Sequence, residues 1–185
     1  ALFYDPIHDE LIDYADGLKD IQSRAMRMIG DPVERIIEDP IRSLRAIRLS
    51  HKLKFSMDES LRQAIQNTAP ELLKSVLPRR REEYLKFLRL PDAIPAWIEL
   101  YDLGIIDNIL PTLKPVFEDN DKRDIFLSYL QRMDLWCLDD TQPAELFLPL
   151  ILGFVRAMRD EPDFEDQLSR LMKDELMMFK TENAT

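Results

Sequence analysis

Asp39 and Arg42 are the residues whose types and spacing most readily do chemistry. They lie three apart where Glu38-Asp39-Pro40-Ile41-Arg42 opens a helical pattern, so their side chains lean to one side and can set an acceptor beside donors. A carboxylate next to a guanidinium complements an edge that offers one amino donor and one ring acceptor. Adenine presents such an edge at N6 and N1, and cytosine at N4 and N3. Guanine and uracil present a carbonyl and a ring N–H there and would clash in polarity. Arg45, Arg48 and Lys52 continue on roughly the same side, where they could meet phosphates. A plainer explanation fits the same residues: Asp39 is an acidic N-cap before Pro40 at the first helical position. Asp39–Arg42 and Glu38–Arg42 would then be solvated ion pairs contributing about 0.2–0.5 kcal/mol each.

Other reactive residue types are isolated. His8 and His51 have no Cys or His at ligand spacing, so they are expected to be exposed or structurally bonded rather than zinc ligands. Cys137, between Leu135-Trp136 and Leu138, reads as a buried thiol, and Met26, Met28, Met172, Met177 and Met178 as core fillers. Asp119-Asn120-Asp121 reads as part of a solvated acidic loop over 118–124. Arg79, Arg80 and Arg81 open a helix, where positive charge opposes the macrodipole, so a phosphate or acidic partner becomes somewhat more attractive there.

The elements that must position these residues are mostly helices. The chain has 185 residues, 45% hydrophobic, with only 4 Gly against 12 Pro, which suits proline-punctuated helices and excludes both an all-β fold and a disordered tail. Helices are predicted at about 40–53, 58–67, 70–75, 78–90, 92–103 and 125–138, with two more beginning near Pro143 and Pro162; Gly104 offers a C-cap. Before them, 2–4 and 11–14 read as a β-hairpin, 18–24 as a short helix and 26–29 as a brief extended piece. A lone hairpin is marginal in water, so these strands are expected to edge a sheet whose other members lie upstream, in a longer protein. The apolar run 146–155 is broken by Pro149 and is well short of the roughly 20 residues that span a bilayer. One cysteine implies no oxidising compartment, and a cytoplasmic location is expected.

Charge is partitioned. Residues 1–21 carry one Lys against six acids, 22–90 fifteen Lys or Arg against nine acids, and 91–185 nine against twenty. A basic middle between acidic ends is a candidate footprint for a polyanion, although ordinary solvated helix faces can drift in charge as well.

The ordered run Leu2-Phe3-Tyr4, Ile12-Asp13-Tyr14, Gly17-Leu18-Lys19-Asp20, Met28-Ile29-Gly30-Asp31-Pro32, Arg35 and then Glu38 to Arg48 resembles the bacterial poly(A) polymerase and CCA-adding enzyme family. Leu77-Pro78-Arg79 with Glu82-Glu83 and Leu85-Lys86 resembles its later neck motif, with Arg80 and Arg81 standing where apolar residues are expected. Leu103-Gly104-Ile105-Ile106 with Leu110-Pro111 is similar to a further helix end of the family, and nothing beyond Phe117 is recognisable. The resemblance implies a mainly α chain: a nucleotidyltransferase-head remnant over 1–31, neck helices over 32–90 and a helical body over 91–185.

It further implies that Asp39 and Arg42 read the incoming base, while Arg35, Arg45, Arg48, Arg79, Arg80 and Arg81 brace the neck or meet phosphate or RNA. The activity implied is template-independent addition of AMP from ATP to RNA 3′ ends, with Mg2+. CCA addition to tRNA is the alternative, and a noncatalytic helical module binding RNA or protein is a third reading. The family's Gly-Ser loop and metal-holding Asp-x-Asp pair are absent in context. Catalytic and metal-binding residues are therefore expected to be none here, and the piece by itself inert.

Overall fold

Strands β1 (Leu2–Asp5) and β2 (Glu10–Asp13) form an antiparallel hairpin in which Phe3 faces Ile12 and Tyr4 faces Leu11. Asp5 closes the turn by accepting from the Ile7 amide at 2.8 Å, and Tyr4 donates to Asp9 at 2.7 Å. Helix α1 (Gly17–Ser23) follows, capped by Asp13, whose carboxylate accepts from the Gly17 and Leu18 amides at 2.9 Å each. The computed structural model describes residues 2–131 and 143–178.

The extended piece after α1 pairs within the chain. Strand β3 (Ala25–Met26) runs parallel to β4 (Ser56–Met57), with Ser56 N donating to Arg24 O and Asp58 N to Met26 O. The extended piece predicted over 26–29 meets β3 only at Met26, and β4 is not predicted at all, because a two-residue strand carries no period of its own. The bridge ties the hairpin region to the turn that follows α3 (Ile41–Leu53).

Helices dominate the rest, as predicted. Asp31 caps α2 (Pro32–Glu38) by accepting from the Glu34 amide at 2.9 Å, and Asp58 caps α4 (Glu59–Asn67) through the Ser60 amide. A 3-10 turn (Ala69–Lys74) leads to α5 (Leu77–Leu88) and α6 (Ile94–Asp102). Gly104 has φ +69, a left-handed conformation that favours glycine, and its amide closes α6 on Tyr101 O at 2.8 Å. Beyond lie α7 (Ile105–Ile109), a 3-10 turn (Pro111–Leu113), α8 (Lys114–Glu118), α9 (Asn120–Gln131), α10 (Pro143–Leu146), α11 (Leu148–Met158) and α12 (Phe164–Arg170). The predicted acidic loop is instead a helix start: Asp119 accepts from the Asp121 and Lys122 amides, using its carboxylate to satisfy orphan donors. The part of the predicted 125–138 helix beyond Gln131, and Cys137 with it, lies outside the described residues.

The core is one contiguous cluster that begins at Ile36. Helix α3 contributes Ile41, Leu44 and Ile47 and packs on α5 and α6. Trp97 of α6 meets Phe87 of α5 and Phe126 of α9 edge-on, at centroid separations of 6.5 and 6.4 Å. Helices α9 and α11 approach closely at Gly153, where a Cβ would stand 3.0 Å from Phe126 O. None of the described residues up to Ile29 is buried, and Tyr14 and Ile7 are more than four-fifths exposed.

After α12 the chain forms a π-helical turn (Leu171–Glu175) that buries a carboxylate. Glu175 Oε1 accepts from Thr112 Oγ1 at 2.5 Å and from its amide at 3.2 Å, while Oε2 has no partner. Burial pushes this carboxyl above the ordinary glutamate value of 4.5, more than the Thr112 bonds pull it down. A raised native pKa costs nothing below 4.5 and destabilises increasingly as pH climbs through the native value. Glu175→Gln keeps one acceptor and cannot ionise. Its melting temperature relative to wild type should therefore rise between pH 4 and pH 8, and a difference that does not change with pH would refute the buried-ionisation account.

Candidate functional site

The site is built at the corner between α2 and α3. Asp39 is extended, with φ −146 and ψ 94, and Pro40 then turns the chain into α3. The main hydrogen bond of the Asp39 carboxylate is not to the amides that open α3. Its Oδ2 instead accepts from Arg79 Nη2 of α5 at 2.9 Å, a contact 40 residues distant in sequence. Burial pushes the Asp39 carboxyl up, but the hydrogen bond and charge of Arg79, helped by the Ile41 amide at the start of α3 and by Arg45, outweigh it and hold the group below the usual aspartate range. Oδ1 is shielded from water with no hydrogen-bond partner.

Arg42 is held by a different set. Its Nη1 donates to Glu38 Oε2 at 2.8 Å and to the Arg35 carbonyl at 2.6 Å, and Arg35 Nη1 donates to the same Glu38 oxygen. The expected Glu38–Arg42 pair is present. No direct Asp39–Arg42 side-chain bond forms among the described residues, so the two groups share a corner but are each engaged by their own chain. Only Nη1 of Arg42 makes those bonds, so the remaining N–H groups of its guanidinium form no hydrogen bond among the described residues.

Farther along α3, the cations converge on a residue that spacing did not single out. Glu83 of α5 is 1% exposed and accepts from Arg48 Nε at 2.9 Å, Lys86 Nζ at 2.9 Å and Arg45 Nε at 3.4 Å. Burial pushes its carboxyl up, and the Lys86 and Arg48 bonds more than compensate. Glu83 therefore fixes α3 against α5 and orients the basic stripe. The signal available in the sequence is an acid next to Tyr84 and one turn before Phe87, on a stripe that is otherwise apolar.

Arg80 and Arg81 occupy positions where apolar residues were expected, and the structure shows how. Their Nε atoms are buried, and the Arg81 guanidinium lies 5.5 Å from the centre of the Phe147 ring. The stems fill apolar space while the cationic head is accommodated on an aromatic face. His8 bonds Asp5 at 2.7 Å and His51 bonds Glu99 at 2.6 Å. Among the described residues no group of three or more His, Cys, Asp or Glu could hold a metal ion. No helix there is long and apolar enough to cross a membrane.

A hairpin, a corner between α2 and α3 and a basic helix braced by a buried acid, followed by helical layers, make up a fold shared with solved CCA-adding enzymes. A CCA-adding enzyme in complex with ATP superposes with a TM-score of 0.68 at 17% identity, covering 94% of this chain and 44% of that one. The Bacillus stearothermophilus CCA-adding enzyme in complex with CTP gives 0.56 at 20% identity, covering 92% and 55%. Residues 54–117 match the family described as the probable RNA and SrmB-binding site of polymerase A. Poly(A) polymerase I of Haemophilus influenzae is 37% identical over 142 residues, 76% of this chain and 30% of that protein. A CCA-adding enzyme of Lactobacillus helveticus is 36% identical over 80 residues, 43% and 20% respectively. The chain belongs to the bacterial poly(A) polymerase and CCA-adding enzyme family. It spans less than a third of the length of these two relatives.

Proposed function

We propose that this chain supplies the base-selecting neck, residues 32–90, and the helical body, residues 91–185, of an RNA nucleotidyltransferase. That enzyme adds AMP from ATP to RNA 3′ ends in the cytoplasm. The observation that carries the reading is the corner itself. It holds an unpartnered carboxylate oxygen on Asp39 and spare guanidinium N–H groups on Arg42, the acceptor and donors that an adenine edge requires. Arg79 and Glu38 keep these two groups in place before a nucleotide arrives. A base reaching the shielded Oδ1 must shift the corner, so binding exchanges intrachain contacts for base contacts.

Among the described residues no group of His, Cys, Asp or Glu is assembled that could hold magnesium. Residues 1–185 alone are expected to incorporate no nucleotide, and measurable incorporation by them would overturn this expectation. The second reading, CCA addition, has support from a CCA-adding enzyme relative that is 36% identical over 80 residues. Poly(A) addition is preferred because the match to a poly(A) polymerase spans 76% of the chain against 43–52% for CCA-adding enzymes. An incorporation assay of the full-length protein with each of the four triphosphates decides between them. ATP alone is expected to extend RNA. CTP followed by ATP would assign CCA addition, and no incorporation would leave a binding module.

A further inference from the structure

Helix α5 meets a second buried acid, supplied by the C-terminal end of the described residues. The π-helical turn Leu171–Glu175 is closed by Leu176 N on Leu171 O and followed by Met178 N on Met172 O, 2.9 Å each, and Leu171 and Leu176 anchor it as fully buried side chains. It carries Glu175 inside, 6% exposed, within electrostatic reach of the fully buried Tyr84 of α5. Of the buried side-chain polar atoms that lack a partner among the described residues, three lie on α5, at Arg80, Arg81 and Tyr84, and one is Glu175 Oε2. Buried polar atoms are normally paired, so this concentration of unmet groups needs a physical reason.

The two oxygens of Glu175 are treated differently. Oε1 holds the turn to the Pro111–Leu113 turn by accepting from the hydroxyl and the amide of Thr112, 63 residues away, while Oε2 and the Tyr84 hydroxyl are both sealed from water and unbonded. A neutral carboxyl needs one acceptor for its proton, whereas a carboxylate sealed from water must replace the hydration of a full charge. The charged groups around it pull in both directions: Arg170 of α12 favours the anion and Asp174 of the turn itself favours the acid, while Arg80 acts from α5 on Tyr84. Burial, with a smaller push from Glu175, raises the Tyr84 phenol, so that group stays neutral and offers its oxygen as an acceptor.

We propose that Glu175 is a proton-operated latch: as a neutral acid it holds the C-terminal turn against α5 and the Thr112 turn, and on losing its proton it releases the turn while the rest of the core stays folded. In the closed state Oε1 keeps both Thr112 bonds and the acid proton on Oε2 turns toward the Tyr84 oxygen. The anion could draw on the same hydroxyl, but one phenol donor does not replace its hydration, and opening the turn restores water to the charge. Because α5 also carries Arg79 and Glu83, release bears on the helix that braces α3 and the Asp39 corner. The latch itself stands independently of the activity assigned to the chain.

Hydrogen exchange of the full-length protein, followed by mass spectrometry between pH 5 and pH 8 and corrected for the intrinsic rate, tests the latch. Between the ordinary glutamate value of 4.5 and the raised native one, the closed turn is neutral and the open turn ionised, so opening releases a proton. Protection of residues 171–178 should therefore fall by up to about tenfold per pH unit in that window and level off above it. Amides of α6 around Trp97 should keep their protection throughout. Glu175→Gln, which cannot ionise, should hold residues 171–178 equally protected at both ends of the range. Thr112→Val removes a hydroxyl that favours the anion and should move the midpoint of the wild-type transition to higher pH. Protection of the turn that does not change with pH in wild type would overturn the latch, and so would a Glu175→Gln profile identical to wild type, which would assign the proton to another group. Loss shared equally by α6 would reduce the effect to global stability and overturn it too. If Glu175→Gln does not fold, an unmoved midpoint in Thr112→Val is the result that sinks the proposal.

Discussion

Trp97→Ala is expected to destabilise the fold by about 3–5 kcal/mol, the range for truncating a fully buried aromatic. Trp97 is 0% exposed, and its ring touches Phe87 on one side and Phe126 on the other. Phe126 continues edge-on to Phe117, which stacks on Tyr101 at 5.3 Å. The indole therefore joins α5, which carries Arg79 and Glu83, to the layers formed by α8 and α9. Its removal opens a cavity and also deletes two edge-to-face pairs worth about 0.5–1.5 kcal/mol each. For a domain of this size the melting temperature should drop by about 6–20 °C. Trp97 Nε1 has no partner, so Trp97→Phe gives up no hydrogen bond and should recover most of the stability. Urea titration of both variants measures the difference, and a Trp97→Ala change within about 1 kcal/mol of wild type would show that the three helices do not depend on this contact.

The neighbourhood of Trp97 also shows what local pattern can and cannot reveal. The helix over α6 and its glycine stop were legible because proline near the start, apolar period and Gly104 at the end are all local signals. The hairpin was legible for the same reason, from two short apolar runs about a loop. Asp39 reads as an N-cap by every local criterion, yet its side chain turns away to Arg79, since a guanidinium from another helix offers a charge-assisted bond that a backbone amide does not match. Arg45 and Arg48 read as free cations on a solvated face, whereas Glu83 holds both at separations of 38 and 35 residues. Such pairs are fixed by how α3 crosses α5, and a sequence period carries no information about that crossing. The acidic 118–124 stretch failed differently: an aspartate placed before a helix and an aspartate in a loop have the same composition, and the following Ile125-Phe126-Leu127 was the cue to extend the helix back to Asn120.

Arg42→Ala in the full-length protein should reduce the preference for ATP over GTP by roughly 10- to 100-fold while leaving RNA retention nearly unchanged. The magnitude follows from a bidentate side-chain reading of a base edge, worth about 1–3 kcal/mol against the wrong base. The structural cost should be small, because Arg42 and Glu38 are partly exposed and such pairs contribute about 0–1 kcal/mol. Asp39→Ala should relax selectivity in the same way but at a larger cost in stability, since it also strands Arg79. Arg79→Ala separates reading from bracing. It frees Oδ2 and not Oδ1, the oxygen proposed to read the base, so on that proposal ATP preference should survive even where the neck is loosened. If Arg42 and Asp39 served only to hold the α2–α3 corner, the Arg42, Asp39 and Arg79 variants would all lower the melting temperature with the ATP to GTP ratio unmoved. That ratio, measured as kcat/KM for each triphosphate, distinguishes a protein template for adenine from an ordinary ion-paired helix junction.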